Sequence, residues 1–276
     1  MIHHRIADWD DAYANGPHIA GAEAWPERCA QAARAFRDGL GTAGRARLDL
    51  TYGGGPRNRF DLFMPVPEPK GLVFFFHGGY FMRFDKSFWS HLAEGAVASG
   101  FAVAMPSYTL CPEIKVAGIV AEAGAAVEAA AALVQGGIHL AGHSAGGHLA
   151  TRMIAVPSPL PASVLGRIRN TVSISGLHDL RPLMRTAMNA TLGLDAAEAA
   201  TESPALLAPV EGVRLTAWVG GAERSEFIRQ SALIANVWLG LGAATALVEE
   251  PDRHHFSIVD GLQDRSHGLT RTLLAD

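Results

Sequence analysis

The chain has 276 residues, a length that covers one large α/β domain or two small ones and leaves ample room for a buried core. Hydrophobic residues make up 49% of it and charged residues 18%, with a formal net charge of -4, so the basic stripe that nucleic acid demands is missing and nucleic acid is not expected as a partner. The two cysteines, Cys29 and Cys111, form no CxxC pair and stand at no zinc spacing from a histidine, which argues against a disulfide framework and a structural metal and fits a reducing cytoplasm.

The opening stretch, MIHHRIADWDDAYAN, has histidines and acids where a secretory leader needs a basic region followed by an apolar run, so export is not expected. A helix is predicted around Ala22 to Arg37. Alternation then marks strands at Arg47 to Tyr52 and Arg59 to Met64, a hairpin-like pair joined by the turn Gly53-Gly54-Gly55-Pro56. The run Gly71 to Phe76 is continuously apolar, as a strand covered on both faces must be. Helix and strand patterns alternate from there: a helix near Lys86 to Ala98, a strand at Phe101 to Met105, and an Ala-rich helix from Val116 to Val134. That helix is interrupted by Glu122, Gly124 and Glu128, which suits packing on a sheet better than a membrane span.

The pattern continues with a strand at Ile138 to Gly142, a helix from Ala145, a strand at Thr171 to Ser175 and a mixed helical insertion from Leu180 to Leu207. A strand at Leu215 to Val219, a helix near Ser225 to Leu239, a strand at Ala244 to Glu249 and a final helix near Phe256 to Leu274 complete it. Strands separated by helices of this length imply βαβ crossovers and a mostly parallel central sheet flanked by helices. The chain has no fixed-period repeat and no long linker, and Pro157-Ser158-Pro159-Leu160-Pro161 marks only a local break, so residues 1–276 read as a single domain.

The strongest chemical signal is Gly142-His143-Ser144-Ala145-Gly146, a G-x-S-x-G where an apolar strand ends and a small-residue helix begins. A turn this tight holds the serine in a strained conformation with its hydroxyl presented at the sheet edge, and the flanking glycines leave room for neighbouring chain. It resembles the nucleophile elbow of the α/β-hydrolases, with Ser144 as nucleophile. The amide of Ala145, at the positive end of the following helix, then faces a developing oxyanion. His77-Gly78-Gly79-Tyr80-Phe81 directly follows the strand Gly71 to Phe76, where such hydrolases place the rest of the oxyanion hole, so the amides of Gly78 and Gly79 join that of Ala145 while His77 orders the loop.

The same resemblance places the base late in the chain, between the last strand and the last helix. His255 is preferred there and His254 held in reserve, while His148 is read as a packing residue on the nucleophile helix. The acid belongs just after the strand Leu215 to Val219, where Glu223 stands. Glu226, in the first turn of the next helix, and Asp252, close to the base, compete for the role.

More of the chain resembles the arylformamidase (kynurenine formamidase) branch of the α/β-hydrolases, related to the hormone-sensitive-lipase-like esterases. HGGYF is similar to HGGxW, Tyr108 to Glu113 to YxLxPE, Ser175-Gly176-Leu177 with Asp179-Leu180 and Ser203-Pro204 to the SG-x-x-DL segment and its SP sequel, and Glu223 to Ser231 to DSPEFxRQS. The last match puts Glu223 at the place of the family's Asp, one methylene longer, and Phe81 at the place of a Trp whose indole N–H is lost. The resemblance implies an α/β-hydrolase fold with helical N-terminal and 180–207 insertions near the active site. It also implies a cytoplasmic serine hydrolase that cleaves an aryl formamide resembling N-formylkynurenine, or a small ester, through an acyl-enzyme. Tyr80, Phe81 and Trp25 are candidates for the substrate wall, no cofactor or metal is required, and membrane is not an expected partner whereas a homodimer stays open. The rivals are a carboxylesterase acting on short-acyl or aryl esters and, more remotely, an inactive binding protein on the same fold.

Overall fold

The structure, a computed structural model, describes residues 5–275. Met1–His4, whose histidines weighed against a secretory leader, lie outside the described residues, as does Asp276.

Among the described residues, eight strands form one sheet: β1 (Ala46–Thr51), β2 (Arg59–Phe63), β3 (Gly71–Phe76), β4 (Ala102–Pro106), β5 (Gly137–His143), β6 (Ile168–Ile174), β7 (Arg214–Gly220) and β8 (Ala244–Glu250), in the order β1-β2-β4-β3-β5-β6-β7-β8. β1 pairs antiparallel with β2 and β2 with β4, and every later pairing is parallel. The expected hairpin is therefore present, and it caps one edge of the mostly parallel sheet. All of β3 is buried, its side chains alternating between two apolar layers: Leu72, Phe74 and Phe76 enter one, Val73 and Phe75 the other. Runs without polar residues are what a doubly covered strand requires.

Among the described residues, ten α-helices accompany the sheet: α1 (Trp9–Tyr13), α2 (Trp25–Thr42), α3 (Glu94–Ala98), α4 (Val116–Leu133), α5 (Ala145–Met153), α6 (Ala162–Leu165), α7 (Asn189–Leu192), α8 (Ala196–Thr201), α9 (Ser225–Gly240) and α10 (Gly268–Leu273). α4, α5 and α9 bury their apolar residues in the layer with Phe74, while Phe36 and Leu40 of α2 join α3 and α10 in the layer with Phe75. Among the described residues α4 is the helix long and apolar enough to cross a membrane. Its Ile119, Val120, Ala123, Ala126 and Val127 are buried against the protein, which accounts for that composition.

Two expected helices are broken. Lys86 to Ala98 forms the 3-10 turns Lys86–Phe88 and Ser90–Ala93 before α3. Asp85 caps the first turn by accepting from the amide of Ser87, and Lys86 is drawn to Asp61 at 2.7 Å and Asp49 at 2.8 Å, so local polar bonds fix tight turns in place of a continuous helix. Phe256 to Leu274 likewise becomes a 3-10 segment, Ser257–Gln263, and then α10. The Asp264 carboxylate takes both the amide and the hydroxyl of Ser266 between them, and His267 caps the restart by accepting from the amide of Leu269.

Candidate active site

The turn from β5 into α5 is as tight as its sequence demands. Ser144 sits at φ 56° and ψ -118°, a conformation that costs a non-glycine residue about 1–3 kcal/mol and persists only where its surroundings impose it. A Cβ on Gly142 would stand 2.0 Å from the carbonyl oxygen of Gly146, and one on Gly146 would stand 2.0 Å from that of Phe76, so no side chain fits at either place. The amide of Ser144 donates to Ile174 of β6 at 2.8 Å, anchoring the turn to the sheet.

The β3 loop lies directly against this turn. A Cβ on Gly78 would meet the Ser144 Cβ at 3.0 Å, and Gly79 has φ +117°, open to glycine alone. His77 Nδ1 donates to the Gly78 carbonyl at 2.7 Å, which turns the other side of that peptide, the Gly79 N–H, away from the ring. The His77 ring stacks on Tyr108 with centroids 4.4 Å apart, and the Tyr108 hydroxyl donates to the His77 carbonyl at 2.9 Å. Burial lowers the His77 pKa to about 4, so it remains a neutral donor. Ala145 opens α5, where a first-turn amide has no intrahelical acceptor.

Beyond β8, His255 places Nδ1 2.6 Å from Glu223 Oε2. Glu223 lies in the loop after β7, its side chain fully enclosed, and its other oxygen accepts from the Ser175 hydroxyl at 2.5 Å and the Gly220 amide at 2.9 Å. Three donors on one buried carboxylate satisfy its charge and fix its direction. The side chain one methylene longer than the family's Asp is thus bonded at both oxygens.

The competing acids are engaged elsewhere. Glu226 takes the Tyr13 hydroxyl at 2.9 Å and pairs with Arg229 through both oxygens, and Asp252 occupies a turn at φ 60° and makes no hydrogen bond to His255. His254 accepts from the amides of Phe256 and Ser257 through Nδ1 and stands edge-on to Trp25, a packing position. His148 is fully buried on the helix behind Ser144, bonded to the Glu202 carbonyl.

Ser144 and His255 open onto a cavity of about 700 Å³, within the usual range for a small-molecule site. Gly78, Gly79, Tyr80 and Trp25 line it, together with Trp89, Phe84, Phe88 and Phe256. Residues from Asp10 to Cys29 close one side, and Met188 of the 180–207 insertion contributes as well. Tyr80 is tied to this N-terminal strap by its hydroxyl, which donates to the Tyr13 carbonyl at 2.6 Å.

Phe81 corrects the expectation. Its φ of 61° turns it away from the cavity, and it is fully buried edge-on against His148 at 5.2 Å, so it supports the β3 loop from behind and is not a wall of the pocket. Sequence reasoning also assigned no role to Ser175, whose signal was the Ser175-Gly176-Leu177 segment, or to Trp89 and Tyr13, which only the fold brings to the cavity. Among the described residues, no group of three or more His, Cys, Asp or Glu is placed to hold a metal.

An alpha/beta hydrolase fold family model matches residues 73–258, which include the turn at Ser144, the β3 loop and the loops that carry Glu223 and His255. The chain belongs to the α/β-hydrolase fold family. It is 27% identical to the kynurenine formamidase of Danio rerio over 239 residues, 82% of this chain and 80% of that one, and 26% identical to that of Drosophila melanogaster, covering 79% and 73%. A crystal structure from Silicibacter sp. tm1040, provisionally described as a thioesterase, superposes with a TM-score of 0.93 at 48% identity and covers 97% of this chain and 99% of that one. An esterase from Pyrobaculum calidifontis shares the fold at a TM-score of 0.69 and 17% identity, covering 95% and 94%.

Proposed function

We propose that this hydrolase-family protein is a serine hydrolase that cleaves an aryl formamide or a small ester through an acyl-enzyme on Ser144. The observation that carries the reading is the 2.6 Å bond from His255 Nδ1 to Glu223, on the wall of the same cavity that Ser144 lines. With Nδ1 donating to the carboxylate, Nε2 carries the lone pair and takes the Ser144 proton as Oγ attacks the carbonyl carbon. The amides of Gly78, Gly79 and Ala145 receive the oxyanion. His255 then returns its proton to the leaving amine or alcohol, and water repeats the cycle on the acyl-enzyme.

The kynurenine formamidases named above support a formyl acyl group and an aryl amine leaving group, and an aromatic wall of Tyr80, Trp25, Trp89 and Phe256 suits an aryl ring. The volume of the cavity favours a second reading, a carboxylesterase for short-acyl or aryl esters, because a formyl group needs little of about 700 Å³. The deciding experiment is a side-by-side panel of N-formylkynurenine, a p-nitrophenyl ester and an acyl thioester, run with and without EDTA and repeated with Ser144→Ala. Turnover of the formamide above the ester supports the first reading, and the reverse order supports the second. Activity that survives Ser144→Ala sinks both.

A further inference from the structure

One buried polar side chain of the cavity wall plays no part in the proposed mechanism. It is His143, the residue before the nucleophile. Its Nε2 lies 2.9 Å from the main-chain carbonyl of His255, so Nε2 carries the hydrogen and donates. Nδ1 is therefore a bare acceptor, and it is enclosed without a partner. The ring lies against the His255 imidazole with centroids 4.6 Å apart, and Phe227 packs against that same imidazole at 4.3 Å.

Packing alone does not ask for histidine here. An enclosed nitrogen without a partner costs about 1–3 kcal/mol, and an apolar ring in the same slot would avoid that. Burial first, and the nearness of His255 second, hold the His143 pKa well below the ordinary histidine range, so the ring stays uncharged beside the imidazolium that forms during attack.

The position of the bond explains why the cost is tolerated. His255 comes from the loop between β8 and the 3-10 segment Ser257–Gln263, an element separate from the β5–α5 turn that carries Ser144. The bond to Glu223 fixes the direction of the imidazole but leaves open the distance between the base's backbone and the nucleophile. Its donor is the chain neighbour of Ser144 and its acceptor is the carbonyl of His255 itself, so the His143 bond ties those two backbones together.

We propose that His143 is a positioning residue whose Nε2–H holds the backbone of His255 in register with Ser144, so that one imidazole spans the acid and the nucleophile. The proposal rests on the serine-hydrolase reading given above.

The test compares His143→Gln, whose amide nitrogen reaches the place of Nε2, with His143→Asn, whose nitrogen reaches only the place of Nδ1, and with His143→Phe, which keeps a ring and has no donor. The readouts are the rate of Ser144 labelling by a fluorophosphonate, kcat and KM for a p-nitrophenyl ester, and the downfield proton resonance of the His255–Glu223 bond. Gln is expected to stay within about threefold of wild type, while Asn and Phe lose about 10–100-fold in labelling rate and kcat, the cost of a misplaced reacting group, with KM little changed. The downfield resonance is expected to persist in Gln and to broaden in the other two. If Phe fails to fold, the Gln and Asn pair still decides. Equal rates for folded Gln and Asn variants overturn the positioning role alone. A wild-type protein that does not label overturns the serine reading and takes the proposal with it.

Discussion

Tyr13 donates its hydroxyl to Glu226 at 2.9 Å across 213 residues of sequence, and the same hydroxyl accepts from Gln230 Nε2 at 3.1 Å. This buried bond, with the Tyr80 hydroxyl on the Tyr13 carbonyl, clasps the N-terminal strap over the cavity. Burial and the neighbouring Glu226 raise the Tyr13 pKa above its ordinary value, so the phenol remains a donor throughout the working pH range. Tyr13→Phe should destabilise the protein by about 1–3 kcal/mol and raise KM more than it lowers kcat, because it loosens a wall and touches no reacting group. A denaturant melt with steady-state kinetics checks this, and an unchanged KM would remove the strap from substrate binding.

Ser144→Ala should lower kcat by about three orders of magnitude or more with the fold retained, since Ala removes the attacking atom alone. His255→Ala should match it, whereas His254→Ala should cost stability through the lost cap on Phe256 and Ser257 and leave most of the turnover. The reverse histidine pattern would move the base to His254.

Glu223→Gln should cost about 10²–10⁴-fold in kcat, because the amide keeps the shape while the charge that steadies the imidazolium is lost. Glu226→Gln should cost much less in kcat and show itself chiefly in stability, since its partners are Tyr13 and Arg229. Glu223→Asp should keep only part of the activity, because Ser175 and Gly220 are placed to bind the longer side chain. If Glu226→Gln or Asp252→Asn is crippled while Glu223→Gln is near neutral, the acid is misassigned.

Acid should weaken the fold well before the carboxylates protonate. Burial lowers the pKa of His77 and His148 to about 4 and of His178 to about 3, whereas the same residues in the unfolded chain take up protons near pH ~6.5. Between those limits the unfolded state binds more protons, so the stability that is complete above about pH 6.5 declines as pH falls toward 4. The loss by pH 5 is roughly 2 kcal/mol per imidazole at most. Urea melts at pH 7.5 and 5.0 measure it, and His178→Asn should flatten the dependence. Equal stability at both values would show that these rings do ionise in the folded protein.

Trp25→Ala should raise KM for aryl substrates, since the indole lines the cavity. Phe81→Ala should instead cost about 3–5 kcal/mol of stability, as a fully buried ring does, and depress kcat through a loosened oxyanion loop. Thermal melts beside a kinetic comparison separate the two. A Phe81→Ala protein of wild-type stability would contradict its place in the core.

Local chemistry by itself determined much of this protein. The continuous apolar run of β3 reads as a doubly covered strand, and the glycines flanking Ser144 admit no side chain, so that strand, the tight turn at Ser144 and the glycine loop after β3 were legible in residue type and spacing. Glu223 and His255 were legible as candidates because their loops follow the ends of known strands. The choice among carboxylates was a matter of tertiary structure: Glu223, Glu226 and Asp252 are equivalent as residue types, and only the fold decides which oxygens meet Ser175, Gly220 and His255 and which meet Tyr13 and Arg229. Phe81 and Trp89 divided in the same way. Both are aromatic and both lie in the segment after β3, yet the positive φ at Phe81 sends that ring into the core while Trp89 stays at the cavity. The two broken helices were hidden for a related reason: apolar spacing continues across Asp264, whose carboxylate bonds the backbone two residues on, and runs on from Lys86, where Asp85 caps a tight turn and Asp49 and Asp61 hold the lysine. A sequence records which side chains can bury or bond, and contacts between residues far apart in the chain settle which of them do.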